Sequence, residues 1–324
     1  MRTERQPAGM PPGGHGPAGR EPPAWLLADV PRGGDVAAAE AFCRTVAARH
    51  YENFTVATRL VPPRLRQDLA NVYAFARWAD DLGDESSSPA AAAAALADWR
   101  DELEACFAGR PRHPVFVALA GTARRGRLDP EPFADLITAF EQDQTQTRYR
   151  SREELLGYCR RSADPVGRIV LALEGCRDPA LVAMSDSICT GLQLVNFWQD
   201  VRRDRLAGRI YLPEDDMRRW GVAEADLDAP AATEPVRRLL ADEVAWARRS
   251  FDAGAPLAAA APPALRPAVA MFLGGGRAVA DAIERCGYDT LIRRPTVGRW
   301  TKARLAAAAW WWSWRSWRAP GRPR

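Results

Sequence analysis

From Asp35 onward, apolar residues recur three and four positions apart in segments rich in Ala, Leu, Arg and Glu, and no stretch alternates with period two. That pattern predicts helices and no strands. Pro and Gly punctuate it into predicted helices at 36–54, 64–82, 90–107, 114–126, 131–145 and 152–173. Further helices are predicted at 179–206, 214–220, 233–253, 262–285 and 297–318. Start signals support several of them: Asp178 precedes Pro179, and Ser151 stands three residues before Glu154. No repeat of fixed period recurs, which argues against a helical solenoid and for one packed all-α bundle. Residues 1–34 are dominated by Pro, Gly, Arg and Ala without periodicity, a composition that buries too little apolar area to offset ordering, so they read as a flexible leader.

Composition narrows this picture modestly. A chain of 324 residues suits one large helical domain or two, and 47% hydrophobic with 27% charged residues is globular rather than disordered throughout. The 45 basic and 41 acidic side chains leave a net charge of +4, too small a surplus to indicate nucleic acid. Six scattered cysteines without CxxC spacing read as reduced core residues. With only His15, His50 and His113, and no HExxH, any metal is expected to be oxygen-ligated rather than zinc. No uninterrupted apolar run approaches the roughly 20 residues of a spanning helix, and no secretory pattern opens the chain. The expectation is a cytoplasmic protein that does not cross the membrane.

Two segments carry chemistry. In the first, Tyr73, Arg77, Asp80, Asp81 and Asp84 fall on one helical stripe, bringing three carboxylates, a guanidinium and a phenol to one face. Alone, this would read as a solvated acidic helix end. In the second, Asn196, Asp200 and Asp204 recur every four residues with Gln193 one turn earlier, and the neighbours Leu192, Leu194, Val195, Phe197 and Trp198 are apolar. Carboxylates turned inward on such a helix repel one another and need a cation. Hard oxygen ligands favour Mg²⁺, which uses one or two carboxylates and bridges to substrate phosphates. A diphosphate between the two helices follows, with Arg77, Arg148, Arg168, Arg202, Arg209 and Lys302 as candidate phosphate contacts. Gly274-Gly275-Gly276-Arg277 lacks a dinucleotide-loop spacing and reads as close helix packing or a helix break. Asp215 and Asp216 read as an acidic helix start.

With these residues in view, the chain resembles the squalene/phytoene synthase family, whose signatures are YxxxRxxDDxxD and QLxNxxxDxxxD followed by YLP. The last is Tyr211-Leu212-Pro213 here, and the resemblance covers roughly 36–305. Phe42-Cys43-Arg44, the segment from His50 to Phe54, and Tyr158 to Arg168 are similar to the hydroxysqualene synthase branch. The resemblance implies an isoprenoid-synthase helical bundle with a central cavity over 35–305. It also implies Mg²⁺-dependent conversion of presqualene diphosphate and water to hydroxysqualene and diphosphate. By motif position, Asp80, Asp84, Asn196, Asp200 and Asp204 would hold Mg²⁺. His50, Phe54, Arg77, Asn196 and Tyr211 would bind substrate, and Tyr73, Arg77, Gln193 and Tyr211 would act at the reacting end. Phe54, Phe75, Phe140 and Phe197 could face a carbocation or simply fill core. A presqualene diphosphate synthase and a hydroxysqualene reductase are the implied pathway partners. Two alternatives stand beside this reading: head-to-head condensation of shorter prenyl diphosphates, and a non-catalytic prenyl-lipid-binding module.

In the tail, 306–324, Trp310, Trp311, Trp312, Trp314 and Trp317 lie among arginines, a composition suited to a membrane interface. They could equally pack on the bundle or belong to a disordered end. Glu174, following Leu171-Ala172-Leu173, departs from the apolar residue expected there.

Overall fold

The computed structural model describes residues 35–50 and 60–298, and every regular element among them is helical. In chain order the helices are α1 (Val36–His50), α2 (Pro63–Asp84), α3 (Pro89–Phe107), α4 (Pro114–Gly126), α5 (Glu131–Asp143) and α6 (Arg152–Ser162). There follow α7 (Asp164–Leu173), α8 (Pro179–Leu206), α9 (Glu214–Trp220), α10 (Glu234–Gly254), α11 (Leu257–Ala260) and α12 (Arg266–Arg285), with a 3₁₀ turn at Glu224–Asp228. Proline opens many of them, because its missing N–H would have no helical partner in the first turn anyway. Side-chain caps satisfy other first-turn donors: Ser88 accepts from Ala91 N at 3.2 Å, Ser151 from Glu154 N at 3.3 Å and Asp178 from Ala180 N at 2.8 Å.

The structure corrects the helix list in three places. The single helix expected over 152–173 is two, broken at Ala163 (φ −121°, ψ −51°). Pro165 has no N–H to continue the ladder and crowds the residue before it, so the chain bends and restarts at Asp164. The helix expected from 262 begins at Arg266, and α11 and the 3₁₀ turn were not foreseen. The helix predicted at 297–318, the tail tryptophans and Lys302 lie outside the described residues.

Two hydrophobic clusters organise the bundle. The first joins α1 to α5 around Phe75, Trp78, Trp99, Phe116 and Phe133, whose rings meet at centroid distances such as 4.5 Å (Trp99–Phe116) and 5.2 Å (Phe75–Phe133). The second joins α6, α8, α9, α10 and α12 around Trp198 and Phe251. Each such large side chain contributes on the order of 1.5–3 kcal/mol on burial. A small patch, Val61, Leu65, Leu69, Leu171, Leu265 and Ala268, ties the start of α2 to α7 and α12. Contrary to the expectation that nothing here matches a spanning segment, α8 is long and apolar enough by length and composition. Its surroundings explain the composition: α8 is the central strut of the second cluster, packed on α6, α7, α10 and α12. Glu174 forms an ion pair between the end of α7 and Arg64 near the start of α2, Nη2–Oε2 2.8 Å.

Candidate active site

The two acidic segments sit on helices that belong to different clusters, α2 on the first and α8 on the second. The candidate site is the seam between these clusters. On α2, Arg77 pairs with Asp80 (Nη1–Oδ2 3.2 Å) and with Asp81 one residue on. Asp81 is fully buried, and burial pushes its carboxyl up to about 7 against the lowering effect of Arg77. It therefore fixes the guanidinium, while Asp80 and Asp84 remain partly accessible on the open side. Tyr73 lies one turn before Arg77 and contributes to its electrostatics.

On α8, Asn196 is exposed, Gln193, Asp200 and Asp204 are half-buried, and Phe197 and Trp198 are buried. Asp200 is gripped by both arms of Arg294, Nη2–Oδ2 at 2.9 Å, and Gln199 donates to the Pro295 carbonyl. The segment after α12 thus crosses α8 at its second acidic residue.

The segment between α8 and α9 closes the gap. Its backbone runs beside residues 147–150, with Ile210 N donating to Thr147 O, Glu214 N to Tyr149 O and Asp215 N to Arg150 O, each at 2.9 Å. This places Arg209 between the halves: its Nη2 is 3.6 Å from Asp84 Oδ1 of α2 and 3.5 Å from the Asp143 carbonyl at the end of α5. Tyr211 stacks on Phe197 (3.9 Å, 10°) and feels the charges of Asp143 and Asp204. Tyr158 of α6 packs beside it and donates its hydroxyl to Asp143 Oδ2 at 2.9 Å. Burial pushes Asp143 up to about 7, opposed by Arg209 and Tyr158 and reinforced by Asp84 and Asp80. Burial also raises Tyr158 and Tyr211, so both stay protonated as donors at neutral pH.

Of the residues expected from sequence, Tyr73, Arg77, Asp80, Asp84, Arg209 and Tyr211 therefore share this seam with Asp204, while Asp200 meets Arg294. Three candidate phosphate contacts do not: Arg148 is paired with Glu224, Arg168 with Asp186, and Arg202 donates to the Ala229 carbonyl at the end of the 3₁₀ turn. These guanidiniums fasten helices and loops, which is what an arginine beside an acidic neighbour on an adjoining element does most readily. Phe75 is wholly inside the first cluster and cannot face a substrate. His50 closes α1, its side chain not among those described, and Phe54 lies outside the described residues. Asp216 is more than an acidic helix start, since it is buried and paired with Arg152 at 2.8 Å.

Sequence reasoning missed Asp143, Tyr158 as its partner, and Arg294. Asp143 carried a usable signal: an acidic residue in the last turn of a helix opposes the macrodipole and needs another reason to be there. Chemically, the seam presents carboxylates that suit hard cations, guanidiniums that suit phosphate oxygens, and an aromatic wall beside them. Among the described residues no three acidic, His or Cys side chains converge on a common point.

A family model described as squalene/phytoene synthase matches residues 47–301. The phytoene synthase of Arthrospira platensis is 34% identical, covering 80% of this chain and 88% of that protein. The 15-cis-phytoene synthase of Synechocystis sp. is 32% identical, covering 83% of each. Among solved structures, squalene synthase HpnC from Alicyclobacillus acidocaldarius is 42% identical with a TM-score of 0.75, covering 78% of this chain and 96% of that one. A ligand-bound dehydrosqualene synthase is 26% identical with a TM-score of 0.78, covering 86% and 97%.

Proposed function

The chain belongs to the squalene/phytoene synthase family, and within that family we propose that it converts presqualene diphosphate and water to hydroxysqualene and diphosphate. The observation that carries the reading is the seam itself: two carboxylate helices joined by Arg209, with Tyr158, Tyr211 and Phe197 beside them. The 42% identity to a structure named squalene synthase, against 34% to a phytoene synthase, supports the squalene side of the family.

Asp80 and Asp84 from α2, with Asn196, Asp200 and Asp204 from α8, would hold Mg²⁺, which supplies electrostatic stabilisation of a departing diphosphate. The chain's own groups do the rest. Arg77, Arg209 and Arg294 offer donors to the phosphate oxygens as the C–O bond breaks and its electron pair leaves with the diphosphate. Phe197 and Tyr211 exclude bulk water from one side while the cation rearranges. A single water then adds to the carbocation and gives up its proton. On this reading Asp143, whose Oδ2 accepts a hydrogen bond from Tyr158, receives that proton.

A second reading, head-to-head condensation to presqualene diphosphate or phytoene, is favoured by the phytoene synthase names among the curated relatives. Products separate the two. The purified chain with Mg²⁺ and no nicotinamide cofactor should make hydroxysqualene from presqualene diphosphate and nothing from farnesyl or geranylgeranyl diphosphate. Presqualene diphosphate or phytoene from the shorter substrates would transfer the function to condensation. On the first reading, a condensing enzyme supplies the substrate and a reductase consumes the product. Because both are lipids, we further propose that the protein docks at the inner face of the membrane, its tail tryptophans making the contact. A chain ending at Arg304 that still sedimented with liposomes would remove that part.

A further inference from the structure

Where the first turn of α6 meets α9 and α10, a group of inward-facing charges stands apart from the acidic motifs. Arg152 Nε donates to Asp216 Oδ2 at 2.8 Å, and its Nη2 donates to Asp242 Oδ2 at 2.9 Å and Glu243 Oε1 at 3.3 Å. The guanidinium carbon lies 4.9 Å over the Trp246 ring, so one face meets an aromatic surface instead of water. Arg219 of α9 approaches only Asp242, at 3.7 Å and from an exposed position. Three carboxylates therefore share one inward guanidinium and one cation at the rim.

Glu243 is the member most removed from water. It is fully buried, and its Oε2 accepts a hydrogen bond from no donor. Its carboxyl shares the Arg152 guanidinium with that of Asp216, which brings two like charges together that repel if both are ionised. An unpaired buried carboxylate oxygen is costly, and the cheapest remedy is a proton. On Glu243 Oε2 it would satisfy the orphan oxygen, turn the repulsion into an O–H···O bond and leave two carboxylates against two guanidiniums. No group of acidic side chains among the described residues is arranged to take a metal ion in its place.

We propose that Glu243 is a carboxylic acid at neutral pH, that it shares its proton with Asp216, and that this latch positions the segment carrying Arg209 and Tyr211. Burial pushes Glu243 up to about 8 although Arg152 works against it. The mechanical route is short. Asp216 lies in the first turn of α9, directly after the 210–215 segment, and Arg152 directly follows 147–150, the stretch to which that segment is hydrogen-bonded. Two turns along α6 from Arg152 is Tyr158. The latch thus clamps one end of a ladder whose other end holds Arg209, Tyr211 and the Tyr158–Asp143 pair. The proton stands independently of the reaction assigned to the site; the positioning role rests on that assignment.

The full chain and Glu243→Gln are compared first, since an amide can donate to Asp216 and accept from Arg152 as the acid does. The infrared difference spectrum of wild type minus Glu243→Gln at pH 7, in which the other buried carboxyls cancel, should show a protonated-carboxyl C=O band that shifts in D₂O. Because the folded-state value lies above the ordinary 4.5, the wild type should lose stability relative to Glu243→Gln as pH rises from about 5 to 8, and no further above that. No such band, with melting curves of wild type and variant parallel in pH, would overturn the proton. For positioning, Glu243→Leu should lower kcat roughly 10-fold at unchanged substrate, and Glu243→Gln should restore it with a flatter alkaline limb. Equal kcat and identical pH profiles in the two variants would overturn the positioning role while leaving the band intact. Should Glu243→Leu not fold, the pH profile of Glu243→Gln alone decides, an unaltered alkaline limb counting against the role.

Discussion

Arg209 is the residue on which the seam turns, because it is carried by the segment that leaves α8 in the second half and reaches into the first, to Asp84 of α2 and the Asp143 carbonyl of α5, with Tyr211 two residues away. Arg209→Gln keeps hydrogen-bonding capacity and removes the charge. Asp84 and Asp143 then face each other without the guanidinium between them, and a diphosphate loses a donor. kcat/KM should fall about 10²-fold or more while far-UV circular dichroism stays unchanged, and near-normal turnover would remove Arg209 from the site. Asp164 tests burial in isolation from that chemistry. Thr190 Oγ1 donates to it at 2.9 Å, and burial pushes its carboxyl from 3.8 up to about 7. Between those values the folded chain keeps a proton that the unfolded chain has released. Stability is then fully present in acid and lost as pH rises toward 7, at up to about 1.4 kcal/mol per pH unit. Asp164→Asn keeps the acceptor for Thr190 and removes that slope. Urea midpoints at pH 5 and pH 7.5 should therefore move in the variant's favour, whereas a pH-independent gap would mean that Asp164 is ionised in the fold. The acidic residues of the two motifs were legible in sequence because they repeat at helical spacing. Asp143 and Arg294 were not, since each is a single charge whose meaning depends on which distant element it meets.

At the scale of elements, most helices were readable where proline or a capping side chain marked a start, Pro256 and Pro262 being the exceptions, and the other misreadings occur where local and tertiary signals diverge. Residues 152–173 keep an apolar period straight through Ala163, so only the Asp164–Pro165 step betrayed the break. The glycine run was read as close helix packing or a helix break; α12 continues through it unbroken, and the packing has a visible reason at one position. A Cβ on Gly276 would overlap the Phe251 ring of α10 and stand 2.9 Å from Leu192 Cδ2 of α8, while Gly191 on α8 faces the same ring at 2.8 Å. These two glycines let α8, α10 and α12 close around Phe251, which is fully buried. Gly276→Ala, despite its higher helix propensity, should destabilise the protein by about 1–3 kcal/mol through overpacking. Phe251→Leu in the same chain should recover part of that loss, so that the two effects are not additive in chemical denaturation. Additivity would mean that α12 can shift and that the contact does not limit its approach.

For the whole molecule, the placement of a polar seam between two hydrophobic clusters answers a question that the sequence raised but did not resolve: how buried acidic helices are tolerated by the fold. The sequence reading assigned that task to a cation. In the structure each motif is also compensated from within the chain, Asp80 and Asp81 by Arg77, Asp84 by Arg209 and Asp200 by Arg294. On the proposed reaction, folding then does not depend on the metal, whereas leaving-group departure does. Chelation of divalent cations should abolish diphosphate release and leave the melting temperature within a degree or two, because the arginines keep the carboxylates paired. Mg²⁺ together with inorganic diphosphate should stabilise the protein beyond the sum of either alone, since carboxylates and guanidiniums are shared between the two ligands. At a hundredfold excess over the dissociation constant that stabilisation amounts to about 2.7 kcal/mol. Melting curves with chelator, with Mg²⁺, with diphosphate and with both provide the check. Collapse of the fold on chelation would show that the internal ion pairs do not suffice. A shift with diphosphate alone as large as with both would assign the seam to the arginines and take the metal out of it.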